Sequence, residues 1–184
     1  MATNTSQVYD SVIAVCKSLF LKKTSDYGTA WRILRPASIT DQIFIKAQRI
    51  RTLEEKKVSK VAEDITSEYI GIVNYCVIAM IQLDLEPSES NELEVDRVEM
   101  LFDKKVTETK ELMFAKNHDY GEAWRGMSQE SFTDLILSKL LRIRQILFNK
   151  GKTIASEGIE ANYHDIINYG LFALILIKEN KHKG

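Results

Sequence analysis

Proline and cysteine are nearly missing from this sequence, at two residues each, and glycine is sparse at eight in 184. A sheet needs frequent turn residues, so the shortage argues against a many-stranded fold and favours long helices. Cys16 and Cys76 offer neither a disulfide framework nor a thiolate metal site, and a reducing compartment, the cytoplasm, is the expectation. Residues 1–7 lack a basic stretch followed by an apolar run, so no signal peptide is expected there. Neither charge sign is in excess: 25 basic side chains meet 26 acidic ones, for a formal charge of -1. That balance disfavours wrapping a nucleic acid backbone, and any phosphate recognition must be local. The longest apolar runs, near residues 72–83 and 166–177, are interrupted by Asn74 and Asn168 and read as buried helices, not membrane spans.

What is present is a duplication. Lys23-Thr24-Ser25-Asp26-Tyr27-Gly28-Thr29-Ala30-Trp31-Arg32 recurs as Lys116-Asn117-His118-Asp119-Tyr120-Gly121-Glu122-Ala123-Trp124-Arg125. At an offset of about 93, residues 9–51 fall on 102–144 with roughly 18 of 43 positions identical. After a one-residue insertion, Glu63 falls on Glu157, Tyr69 on Tyr163, Asn74 on Asn168 and Tyr75 on Tyr169. The polar, proline-broken stretch 86–92 is the linker, so the expected units are residues 1–86 and 92–184. The fold class that follows is all-α: two tandem three-helix repeats forming one pseudo-two-fold helical bundle.

Each copy opens with an amphipathic helix, broken at Asp-Tyr-Gly where glycine accepts a positive φ. The second helix is expected to start at Ser38 or Ser131, each followed three residues later by an acid in capping-box spacing. It carries Lys46 and Arg49, or Lys139 and Arg142, on one face. Polar turns around residues 56–60 and 149–153 lead to third helices at about 61–84 and 155–179.

On that last helix a wheel at about 100° per residue places Glu157, Glu160, His164, Asp165 and Asn168 in one polar stripe. Its acids suit a hard divalent cation such as Mg²⁺ held by oxygen ligands. Opposite them stand Lys23, Arg32, Lys46 and Arg49, with counterparts Lys116, Arg125, Lys139 and Arg142. Cations beside metal-recruiting carboxylates are what a nucleotide phosphate tail requires. The same residues also make sense as a buried ion-pair network. In the first copy Thr66 replaces Glu160, Gly71 replaces Asp165, and Glu68 stands where Asn162 is, so the second copy keeps the fuller acidic set. Tyr27, Trp31, Tyr120 and Trp124 read either as anchors of their turn or as a surface for a base. His118 and His164 lack further ligands at zinc spacing, and no phosphate loop or nucleophile elbow is present.

The spacing Lys-x-x-Asp-Tyr-Gly-x-Ala-Trp-Arg, then Lys139-x-x-Arg142, then Glu157-x-x-Glu160 leading to Asp165-Ile166-Ile167-Asn168-Tyr169, resembles the nucleotide modification associated domain family in two tandem copies. The resemblance implies a nucleotide-related role. The layout is also similar to the MazG-like all-α nucleoside triphosphate pyrophosphohydrolases, which hold Mg²⁺ with Glu-x-x-Glu on one helix and Glu-x-x-Asp on the next; here the second helix presents lysine and arginine instead. The expectation is a nucleotide-binding protein, with Mg²⁺-dependent dNTP pyrophosphohydrolysis as its catalytic form. Glu157, Glu160 and Asp165 would hold the metal, and one of them or a metal-bound water would supply the base. Lys116, Asp119, Tyr120, Arg125, Lys139, Arg142 and Asn168 would hold the nucleotide, with Lys23, Lys46 and Arg49 doing so in the first copy. A small-molecule nucleotide is the expected partner, nucleic acid and membrane are not, and a homo-oligomer of the pseudo-dimer is a further expectation. The alternative is a non-catalytic binding or scaffold module with an interior salt-bridge network.

Overall fold

Apolar residues every three or four positions dominate each long segment, and in the computed structural model these segments are helices. The structure describes residues 4–56 and 64–179, with Asp64 by its backbone alone. The described residues form α1 (Thr5–Tyr27), α2 (Pro36–Lys56), α3 (Asp64–Asp84), α4 (Val95–Tyr120), α5 (Gln129–Phe148) and α6 (Ile159–Lys178), without a strand. The fold is all-α, as expected. Single 3₁₀ turns at Ala30–Ile33 and Ala123–Gly126 join the first helix of each repeat to the second.

Three layers, each pairing a helix with its counterpart, make up the bundle. The central layer is α3 on α6, covered on one side by α2 and α5 and on the other by α1 and α4. This position explains why α3 and α6 are apolar nearly all round: Ile72, Val73, Cys76, Val77, Met80 and Ile81 are buried, as are Ile166, Ile167, Leu171 and residues 173–176. Among the described residues one helix, Ile65–Asp84, is long and apolar enough to cross a membrane by length and composition, yet most of that stretch is buried among its neighbours.

Several helix boundaries differ from the expected ones. Ser38 and Ser131 lie inside their helices; α2 starts at Pro36, where a proline costs no hydrogen bond, and α5 is capped by Ser128, whose hydroxyl accepts from Ser131 N. The real cap therefore lies one turn earlier. Chain reversal at Lys150 and Gly151, both at positive φ, is followed by a loop up to the N-cap Gly158, so α6 starts at Ile159 and Glu157 lies outside it. Glu63, the turn at 57–60 and the start of the third helix near residue 61 lie outside the described residues.

Thr40 and Thr133 are fully buried on α2 and α5. Tyr69 Oη meets Thr133 Oγ1 at 2.9 Å, and its counterpart Tyr163 Oη meets Thr40 Oγ1 at 3.1 Å, so two reciprocal bonds cross between the repeats. A second pair of equivalent contacts is incomplete. Asn74 Nδ2 donates to Cys16 O and Asn168 Nδ2 to the matching Thr109 O. Asn168 Oδ1 accepts from Tyr9 Oη at 2.8 Å, whereas the position matching Tyr9 is Phe102, and Asn74 Oδ1 has no partner among the described residues.

An orphaned buried acceptor costs about 1–3 kcal/mol. Removing the Tyr9 hydroxyl (Y9F) is expected to destabilise the protein by that amount in denaturant unfolding, while F102Y, which brings a hydroxyl to the vacant acceptor, is expected to be neutral or stabilising by about 1 kcal/mol. Equal losses from both would refute this account.

Candidate functional site

The Asp-Tyr-Gly-x-Ala-Trp-Arg segment positions the site by ending a helix abruptly. Gly28 and Gly121 adopt φ of 65° and 63° with ψ near -150°, a conformation closed to a side chain, and so redirect the chain across the end of the central layer. Trp31 and Trp124 are then buried as anchors. The arginine that follows ties down chain segments rather than a ligand. Arg32 donates to the carbonyls of Glu86, Glu89 and Ser90 in the linker and to Gln82. Arg125 donates to Glu122 at 2.7 Å, Glu179 at 2.9 Å and Thr5 Oγ1 at 2.9 Å, joining the first turn of α1 to the end of α6. Arg125 was expected to hold phosphate; its fork is instead occupied by protein groups.

Beneath each arch lies a cleft, and the two are lined by matching positions. In the first repeat Phe20, Lys23, Tyr27, Trp31, Lys46, Glu68, Gly71, Asn74, Tyr75 and Ile78 surround about 440 Å³. In the second, Met113, Lys116, Tyr120, Trp124, Asp165, Asn168, Tyr169 and Phe172 leave about 130 Å³. Two replacements account for the difference. Phe172, where the first repeat has Ile78, stacks on Trp124 with centroids 4.2 Å apart and planes 7° off parallel. Asp165, where the first repeat has Gly71, lies between Lys116 and Lys139, each 2.6 Å away.

Gly71 works in the opposite direction. A Cβ there would come within 2.9 Å of Lys46 Cδ and Cε, so its absence lets the Lys46 stem lie flat against α3. Glu68, one turn earlier, receives Arg49 and, at 3.5 Å, Lys46. At the matching position the second repeat has Asn162, whose amide donates to Gly158 O instead. Each repeat thus keeps one inward carboxylate, but at a different position, and a different cation is left over. Among the described residues Lys23 has no ion pair in the first repeat and Arg142 has none in the second.

The three carboxylates expected to share a metal are not brought together. Glu157 is exposed in the loop before α6, on a groove with Lys139 and Arg142. Glu160 pairs with Lys105 at 2.6 Å, and Asp165 with Lys116 and Lys139. Among the described residues the only trio of ligand atoms close enough for a cation is Glu108, Glu160 and His164. Lys105, whose side chain is 4% exposed, already sits there, 2.6 Å from Glu160, 3.2 Å from Glu108 and 2.9 Å from Asp84. Burial lowers the His164 pKa. An internal ammonium already satisfies these acids, so the residues do not fit a resident Mg²⁺.

The remaining expected residues divide in the same way. Lys116 and Lys139 face Asp165, and Asn168 is held by Tyr9 and Thr109. Asp119 is exposed beside His118, and Tyr120 is 78% exposed at the rim of the smaller cleft. Sequence reasoning missed Lys105, Tyr75 and the closing role of Phe172. For Phe172 a signal existed, since aligning the copies sets it against Ile78.

These features define a duplicated helical domain with one open and one filled cleft. The chain belongs to the nucleotide modification associated domain 1 family, whose model matches residues 23–83 and 116–177, one stretch in each repeat. No curated protein and no solved structure matches it.

Burial alone would raise the Asp165 pKa, but the bonds from Lys116 and Lys139 outweigh it and hold the carboxyl below its ordinary value. An acid with a depressed native pKa stabilises the fold fully above the ordinary carboxylate range, and that contribution is lost as pH falls through the native value. D165N is expected to cost about 2–3 kcal/mol at neutral pH, at or just below the low end for a broken buried pair because Lys116 is half exposed. As pH falls through and below the depressed native pKa of Asp165, the unfolding curve of D165N is expected to converge on that of the wild type. A pH-independent difference would show that packing, not charge, is responsible.

Proposed function

We propose that this protein binds a nucleotide in the cleft of its first repeat. The base lies among Tyr27, Trp31 and Tyr75, and the phosphate lies on Lys23 and Lys46. The observation that carries this reading is an open cleft of about 440 Å³ with aromatic walls and an unpaired cation, Lys23, on its rim. That volume falls within the roughly 300–1,000 Å³ of small-molecule sites. The family's description, which associates it with nucleotide modification, supports the same chemical class. Lys23 needs no partner broken before it can receive an anion, whereas Lys116 is already held by Asp165.

The cleft of the second repeat fits the scaffold alternative: rings fill it, and Asp165, Lys116 and Lys139 satisfy one another there. A pyrophosphohydrolase of the MazG-like type needs several carboxylates around one metal. Among the described residues the first cleft offers Glu68 alone, already bonded to Arg49 and Lys46, so the function proposed is binding, with no cleavage step.

A ligand that binds only the folded state raises stability by about 2.7 kcal/mol at a hundredfold excess over Kd. Thermal shift and calorimetry across a panel of nucleotides are expected to show a rise in Tm. Binding is expected to weaken at least tenfold in K23A and in G71D, which puts into the first cleft the acid that the second repeat tolerates, and to persist in D165N. No shift with any nucleotide, or undiminished affinity in folded G71D, would exclude the first cleft.

A further inference from the structure

The loop between α5 and α6 forms a groove with α5 that differs in chemistry from both clefts. It is lined by Lys139, Arg142, Lys152, Thr153, Ser156, Glu157 and Asn162, among others, and encloses about 640 Å³. Arg142 and Lys152, neither with an ion pair among the described residues, and Lys139, which Asp165 holds, face Glu157, and among the described residues no aromatic ring lines the space. A base would find nothing to stack on, but a multiply charged anion would meet ammonium, guanidinium and hydroxyl donors from two walls.

The duplication provides an internal control for the charge. In the first repeat Arg49 and Lys46, which match Arg142 and Lys139, both reach Glu68. At that position the second repeat has Asn162, turned away to Gly158 O. Arg142 has therefore lost the carboxylate its counterpart keeps, while α5 still holds it at the same place on the helix. Lys139 remains anchored to Asp165 at 2.6 Å, which fixes its ammonium at the inner end of the groove. Lys152, on the opposite wall, is exposed and has no ion pair among the described residues. Lys139 and Arg142, three residues apart on one helix face, and Lys152 across from them offer cations on both sides of an elongated ligand.

We propose that this groove is a separate binding site for an oligophosphate, recognised through its charged phosphoryl groups and without a base. It is independent of the nucleotide cleft in the first repeat, because the two share no residue. Among the described lining residues Glu157 alone opposes the ligand, and it acts as a brake on affinity.

Calorimetric titration of the full chain with inorganic tripolyphosphate, at low and moderate salt, tests the proposal. Binding is expected, and it should weaken as salt rises. R142Q and K152Q are each expected to reduce affinity at least fivefold. N162E, which restores the first-repeat pairing, should reduce it at least tenfold, with fold integrity checked by circular dichroism. E157Q should tighten binding several-fold, a gain that misfolding could not produce. K23A should leave tripolyphosphate binding unchanged while impairing nucleotide binding, so failure of one site is distinguishable from failure of the other. The proposal is overturned if tripolyphosphate does not bind at millimolar concentration, if R142Q binds as the wild type does, or if K23A abolishes the signal.

Discussion

Polar side chains on the buried faces of a central helix must find partners inside the protein, and the rest of this structure depends on that constraint. The α3 and α6 helices are covered by four others, yet they carry Glu68, Asn74, Asp165 and Asn168, all largely buried. An unpaired charge in such a place would cost several kcal/mol. Its partners come from the outer layers. Lys46 and Arg49 from α2 reach Glu68, Lys116 from α4 and Lys139 from α5 reach Asp165, and Tyr9 from α1 reaches Asn168. The same bonds that satisfy the interior also hold the layers in register.

Duplication lets the constraint be met twice in different ways. The first repeat satisfies its acid one turn earlier than the second and leaves glycine at the later position. Its cleft stays open, with the Lys46 stem lying where a side chain would otherwise stand. The second repeat satisfies its acid in the middle of the cleft and fills the remainder with Phe172 against Trp124. Closing one cleft frees Arg142 beyond it, because the partner of its counterpart has become Asn162. A single exchange of acid positions along one helical turn thus moves both the open space and the unpaired charge.

The arginine of the repeated motif shows how far equivalent residues can diverge while keeping one role. Arg32 gathers the linker carbonyls, and Arg125 gathers Thr5, Glu122 and Glu179. Both clamp whichever chain segment leaves or enters near the arch. They hold the arch over the cleft, which leaves the lysine at the start of the motif, Lys23, as the cation available in the proposed nucleotide site.

Much was legible in the one-dimensional pattern. Scarce proline and glycine, apolar residues at helical spacing and an internal match over most of the chain were enough to establish six helices in two equivalent halves, because these signals are local or come from comparing the chain with itself. The polar stripe on α6 was equally visible at Glu160, Asp165 and Asn168. Its destination was not. Helical spacing places side chains on a face but says nothing about which neighbour that face meets, so Glu160 was grouped with Asp165 when Lys105 on α4 claims one and lysines of α4 and α5 claim the other. A loop boundary moved Glu157 off the helix altogether. Only packing decided which carboxylate each cation meets and which of two nearly identical clefts keeps its space, because both outcomes depend on contacts between residues far apart in the chain.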